Sequence, residues 1–166
     1  MVKTIRQLNW RFALEHPAHF VALGFGSGLS KVMPGTVGTL AGWLFFVALD
    51  PFVSDFAWLC LIAGSFFLGV WFCDKAGQAL GVIDHGAIVW DEIVAIWLVL
   101  WVTADQFEGL AGQLLCVVVF RFFDMVKPPP IRWFDQHFKS GLGVMLDDLV
   151  AAFMTLLVLA VSVYVR

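Results

Sequence analysis

Five carboxylates and two cations of this 166-residue chain stand where charge is hardest to place, at the edges of long apolar runs. Asp91 and Glu92 open one run, Arg121 and Asp124 close the next with Lys127 just beyond, and Asp147 and Asp148 lead into the last. Ionisable side chains at the edge of a membrane span are costly unless paired, so such a set is by default a functional one. Carboxylates gathered in one place repel unless cations or protons neutralise them. Hard divalent cations take oxygen ligands, and Mg²⁺ usually combines one or two carboxylates with waters and substrate phosphates. Asp91, Glu92, Asp124, Asp147 and Asp148 are therefore candidate Mg²⁺ ligands. Arg121, which can contact phosphate through two donors, and Lys127, a point charge, suit an anionic partner.

Simpler readings compete with these. An acidic pair such as Asp147-Asp148 can merely compensate the dipole of a helix N-terminus. Lysines and arginines can merely report the charge bias of cytoplasmic loops. Neither explains five carboxylates at one end of a bundle with Arg121 and Lys127 bracketing Asp124. A further piece is the stretch Gly24-Phe-Gly26-Ser-Gly28-Leu-Ser-Lys31-Val-Met-Pro34-Gly35-Thr36-Val-Gly38-Thr39. Glycines and hydroxyls ahead of a helix expose backbone N–H groups that can receive phosphate, which adds Lys31 and Thr36 as candidates. It is not a Walker loop, because no Gly-Lys-Ser/Thr closes it.

Other phosphate chemistries are absent. The spacing from Cys116 to Arg121 is too short for a cysteine-phosphatase loop, whose thiolate must also reach the substrate. No Asp-x-Asp nucleophile motif, CDP-alcohol transferase signature or histidine-phosphatase pattern occurs. His85 beside Asp84, and His137, are more often polar loop residues than general bases. Cys60, Cys73 and Cys116 lack metal or disulfide spacing and read as small apolar residues.

The elements that must hold these residues are membrane helices. A hydrophobic share of 61%, a mean hydropathy of +0.89 and 14% charged residues lie far from the soluble norm. Five stretches are drawn, roughly 37–49, 56–73, 87–104, 109–120 (with a possible extension to 126) and 149–165. A spanning helix needs about 20 residues, so several are short, and a small bundle of about four to five spans is expected, all-α. Span one crosses fully only with help from its flanks. Asp50–Asp55 and Asp105–Glu108 form tight acidic turns, whereas nine of the ten Lys and Arg fall on the opposite side, with Arg166 the exception. That asymmetry predicts a cytoplasmic N-terminus and a cytoplasmic acidic cluster. Residues 1–20, with Ile5, Leu8, Phe12 and Leu14 among Lys3, Arg6 and Arg11, form a basic amphipathic helix lying on the leaflet or packed on the bundle. That segment also lacks the apolar core of a cleavable leader. Residues 21–166 form a single membrane domain. Gly38/Gly42 and Ser65/Gly69 are spaced for close helix contact. A homodimer is compatible with so small a bundle.

Four blocks in order resemble the phosphatidylglycerophosphatase A family: Pro34-Gly-Thr36-Val-Gly38-Thr39, Trp90-Asp91-Glu92, Arg121-Phe-Phe-Asp124-Met-Val-Lys127-Pro128-Pro-Pro130-Ile131 and Gly141-Leu-Gly143-Val-Met-Leu-Asp147-Asp148. The resemblance runs from about Gly24 to Ala160. It implies Mg²⁺-dependent removal of the terminal phosphate of phosphatidylglycerophosphate, giving phosphatidylglycerol, at the bacterial inner membrane. On that expectation Asp91, Asp124, Asp147 and Asp148 are catalytic, and Arg121, Lys127, Lys31 and Thr36 hold the phosphate. Water attack and an Asp nucleophile both remain open. The competing class is an ion- or proton-coupled transporter, whose acids belong at mid-span rather than at one end.

Overall fold

Helices follow the apolar runs. The computed structural model describes residues 7–129, 131, 133 and 140–165. Its helices are α1 (Trp10–Glu15), α2 (Pro17–Ala22), α3 (Pro34–Leu49), α4 (Asp55–Leu80), α5 (Trp90–Thr103), α6 (Gly109–Val126) and α7 (Gly141–Tyr164), with a 3₁₀ turn at Gly24–Leu29. Among the described residues there is no strand. α3 with its short extension to Phe52, α4, α6 and α7 are long and apolar enough to cross a membrane. Leu44, Phe56, Phe67, Leu110, Phe153 and Leu157 cover their outer faces and are exposed, as lipid-facing side chains should be.

α5 is different. It has 14 residues, and Ile93, Val94, Ala95, Ile96, Val99 and Leu100 are all buried. A helix apolar on every side belongs inside protein, and α5 runs as a core helix against α3, α4, α6 and α7. At a length of about 21 Å it is shorter than the hydrocarbon core of about 30 Å.

Small residues let the helices close on α5. A Cβ at Gly42 would lie 2.8 Å from Ile96 Cγ2, and the Gly42 carbonyl accepts the Trp97 indole N–H at 2.8 Å. Gly69 fits between Trp90 and Met145, and the Ser65 carbonyl accepts the Trp90 indole N–H at 3.1 Å. Both small-residue pairs expected from sequence are thus packing points.

α3 begins at Pro34 rather than 37 and α5 runs from Trp90 to Thr103 rather than 87–104, and two limits differ by more. α4 continues past Cys73 to Leu80, where Gly81 stops it in the left-handed conformation at φ +81°. α7 begins at Gly141, not Leu149, because its start is fixed by three groups. The Ser140 hydroxyl accepts the Gly143 N–H at 3.4 Å, Asp74 Oδ1 accepts the Gly141 N–H at 3.3 Å, and Gly141 presses on the Val70 carbonyl with no side chain between. Asp147 and Asp148 therefore lie inside the helix, 4% and 3% exposed, rather than opening it.

The N-terminal segment is helical in two pieces. His16 separates α1 from α2, and its Nδ1 accepts the Ala18 N–H at 3.0 Å. Phe12, Ala13, Ala18 and Ala22 are buried, α2 packs on α4, and Trp10 and Leu14 stay exposed. His19 is buried, stacked on Phe12 with ring centroids 4.4 Å apart. Cys73 and Cys116 are buried, and Cys60 is exposed on the outer face of α4. Lys3, Ile5, Arg6, Arg132, His137, Lys139 and Arg166 lie outside the described residues.

Candidate active site

Because the long helices alternate in direction, the starts of α3, α5 and α7 and the end of α6 meet at one end of the bundle. The first turn of α5 carries Asp91 and Glu92. A helix N-terminus bears unsatisfied N–H groups and partial positive charge, which favours carboxylates there. Asp148 joins them from the second turn of α7. Ligand oxygens of Asp91, Glu92 and Asp148 all lie within 4.8 Å of one another. Asp91 Oδ1, Glu92 Oε2 and Asp148 Oδ2 are buried with no hydrogen-bond partner among the described residues. Three acceptors so placed cost free energy unless a cation or protons satisfy them.

The other two carboxylates are engaged by cations. Arg121 bonds Asp124, one turn further along α6, and its Nη1 also lies 3.4 Å from Glu92 Oε1. Lys127 Nζ is 2.6 Å from Asp147 Oδ2. Lys127 ends α6 in the left-handed conformation at φ +44°, uncommon for a residue with a side chain, and Pro128 follows it. The five candidate acids thus divide into a cluster of three, one of which Arg121 also reaches, and two that lie outside it and pair with Arg121 and Lys127. The dipole explanation does not fit Asp147-Asp148, since the first turn of α7 holds no acid.

α3 closes the site from the side. Its first turn has no side-chain cap, and Met33 before it is left-handed at φ +47°. Gly35 rests against the Glu92 carboxylate and the Arg121 guanidinium, so a Cβ there would run into Glu92 and lie 3.2 Å from both Arg121 terminal nitrogens. Beside it, Thr36 Oγ1 and Arg121 Nε are buried without partners among the described residues. The Thr39 hydroxyl, by contrast, donates to the Gly35 carbonyl at 2.9 Å.

Unused donors therefore stand next to unused acceptors. The donors, Arg121 Nε and Thr36 Oγ1, suit an anion, and the three clustered carboxylates suit a cation. Lys31 is exposed and makes no ion pair among the described residues. His85 lies in the loop before α5, where its Nδ1 accepts the Ala87 N–H at 3.2 Å.

Sequence reasoning missed two residues. Gly35 was visible only as part of Pro34-Gly-Thr36, because a glycine declares its role only when its neighbour is known. Asp74 fixes the start of α7, and its Oδ2 also accepts the Gln78 amide at 2.5 Å. No local pattern distinguishes it.

Comparison with known proteins bears on this arrangement. The family model described as phosphatidylglycerophosphatase A matches residues 20–163. A phosphatidylglycerophosphatase A of Haemophilus influenzae is 41% identical over 150 residues, covering 89% of this chain and 90% of the relative. That of Escherichia coli is 39% identical over 142 residues, covering 85% and 80%. A Bacteroides thetaiotaomicron protein provisionally named a phosphatidylinositol-3-phosphatase is 33% identical over 150 residues, covering 87% and 92%. No solved structure matches. The matched region contains every carboxylate and cation of the site, and the chain belongs to the phosphatidylglycerophosphatase A family of membrane phosphatases.

Proposed function

We propose that this phosphatase hydrolyses the terminal phosphomonoester of phosphatidylglycerophosphate, releasing phosphatidylglycerol and inorganic phosphate, with Mg²⁺ as its metal. The names of the two bacterial relatives supply the head group. The observation that carries the chemistry is the adjacency of orphaned donors and orphaned acceptors: Arg121 Nε and Thr36 Oγ1 beside Asp91, Glu92 and Asp148.

The donor set fits a hard divalent cation. It is all carboxylate oxygen, buried, and carries more negative charge than Arg121 neutralises. Asp91, Glu92 and Asp148 would hold the ion. When bound it supplies charge neutralisation and Lewis-acid polarisation of the phosphoryl group. Arg121 binds the phosphoryl oxygens, held in place by Glu92 and Asp124, and stabilises the charge that develops there. Thr36 and the uncapped turn of α3 bind a further oxygen. Lys127, positioned by Asp147, adds positive charge on the loop side of the site. Water adds to phosphorus as the bond to the glycerol oxygen breaks, and the proton the water gives up ends on that oxygen, which leaves as the alcohol. Asp124 and Asp147 act here by orienting Arg121 and Lys127.

The site end carries Arg11, Lys31, Lys75, Arg121 and Lys127, and the turns at Asp50–Asp55 and Asp105–Glu108 carry no Lys or Arg. By the positive-inside bias the site faces the cytoplasm, in the inner membrane of a bacterium. The acids cluster at one end rather than at mid-span, so the transporter reading is not favoured. The test is phosphate release by the purified protein from phosphatidylglycerophosphate, with phosphatidic acid in parallel. Release from phosphatidylglycerophosphate at a clearly higher kcat/KM is expected, and equal or preferential use of phosphatidic acid would remove the head-group assignment.

A further inference from the structure

A phosphatase acting on a lipid must let the phosphate reach the buried acids while the acyl chains remain in the membrane. The walls around the site are not equally closed. α7 packs closely on both α4 and α6. α3 and α4 meet near their shared turn, where Phe46 stacks on Trp58 with centroids 4.7 Å apart. At the site end, α2 packs on α4 and the Gly24–Leu29 turn packs on α3, so that side is covered. Among the described residues, the wall that neither α2 nor the Gly24–Leu29 turn covers at the site end is the seam between α3 and α6, which pack on each other less than α6 packs on α7.

Two ties define this seam. At the site, Gly35 of α3 rests on the Arg121 guanidinium of α6. Further along, the Trp43 indole N–H donates to Gln113 Oε1 at 2.9 Å. Eight residues of α6 separate these ties, about 12 Å at the helical rise. An exposed apolar stripe runs along each helix toward the site: Val47, Leu44 and Leu40 lead to Thr36, and Leu114 and Val118 lead to Arg121. The spacing by threes and fours keeps each stripe on one face with its polar terminus. These termini carry Thr36 Oγ1 and Arg121 Nε, buried donor atoms without partners among the described residues.

We propose that the α3–α6 seam is the lateral entrance of the enzyme and holds an acyl chain of the bound lipid. This rests on the lipid-phosphate reading of the site. Lipid tails are as apolar as leucine, so the seam gains little from burial itself. Its occupancy follows from the head group, which once seated on Arg121 and Thr36 keeps its own chain at high local concentration along the two stripes. An apolar cavity of about 550 Å³ lined by Phe107, Phe153, Leu156 and Tyr164 lies at the opposite end of the bundle and is not reached by this route.

The experiment is photolabelling of the wild-type protein in vesicles. The probe is a non-hydrolysable phosphonate analogue of phosphatidylglycerophosphate with a mid-chain diazirine, and phosphatidylcholine with the same chain is the reference. Labelled peptides are mapped by mass spectrometry. A several-fold excess of the phosphonate over the reference at Leu40–Val47 and Leu114–Val118, with none at Phe67 and Leu68 on α4, is expected. The same profile for both probes, or an excess centred on Phe153 and Leu157 of α7, would overturn the proposal. Phosphate release on the same preparation keeps the two readings apart. Release with even labelling removes the seam alone, and seam labelling without release removes the phosphatase reading while the seam stands.

Discussion

Arg121 is the residue on which most of the site's order depends. It binds Asp124, approaches Glu92, lies under Gly35, and keeps Nε unused. Arg121→Lys retains a charge but loses the planar fork, so kcat for phosphate release should fall by about 10²–10³, the worth of one transition-state charge contact. An unchanged kcat in a variant that still elutes as a monodisperse species would remove Arg121 from the chemistry. Gly35→Ala should also depress activity, because its Cβ would displace the Glu92 carboxylate. Circular dichroism should stay that of the wild type, and a fully active Gly35→Ala would show that the close approach is unimportant. The sequence made the Arg121–Asp124 pair legible, since one helical turn separates them. It did not reveal that Lys127 pairs with Asp147, because that contact is made across the α6–α7 connection, whose length in residues says nothing of its path. The depth of Asp147 and Asp148 was equally hidden: it depends on Asp74 and Val70 of another helix meeting Gly141.

At the scale of elements, hydropathy located each long helix but could not separate a helix bathed in lipid from one bathed in protein. α5 and its neighbours are similarly apolar, and only packing distinguishes them. The small residues were the better guide, because a missing side chain has consequences for any neighbour that approaches. Gly42→Leu should push Ile96 and Ile93 away and cost about 1–3 kcal/mol as an overpacked contact. It would be read as a lower thermal midpoint in detergent. The same change at Gly64, where a Cβ meets nothing within 4 Å, should leave the midpoint unchanged. Equal midpoints for the two variants would contradict the role given to α5 as the helix on which the others close.

For the whole molecule, the proposed orientation rests on charge asymmetry, and the structure gathers the acidic cluster, Arg121 and Thr36 at one end of the bundle. With Cys60, Cys73 and Cys116 replaced by Ala, a membrane-impermeant maleimide applied to intact spheroplasts should label Glu108→Cys and not Gly86→Cys. Labelling of Gly86→Cys instead would invert the orientation. The fold class, the four long helices and the acid-rich end were readable because they rest on composition and helix length. The division of the acids was not, because it arises from three helices arriving at one point. The divalent cation proposed for Asp91, Glu92 and Asp148 is sought by titrating Mg²⁺ into chelator-treated wild-type and Asp148→Asn protein while measuring phosphate release from phosphatidylglycerophosphate. No release is expected in chelator, with recovery of the wild type on adding Mg²⁺ and a half-activating Mg²⁺ concentration raised about tenfold or more in Asp148→Asn, the effect of losing one charged ligand. Full release in chelator, or coincident titration curves for the two proteins, would contradict it.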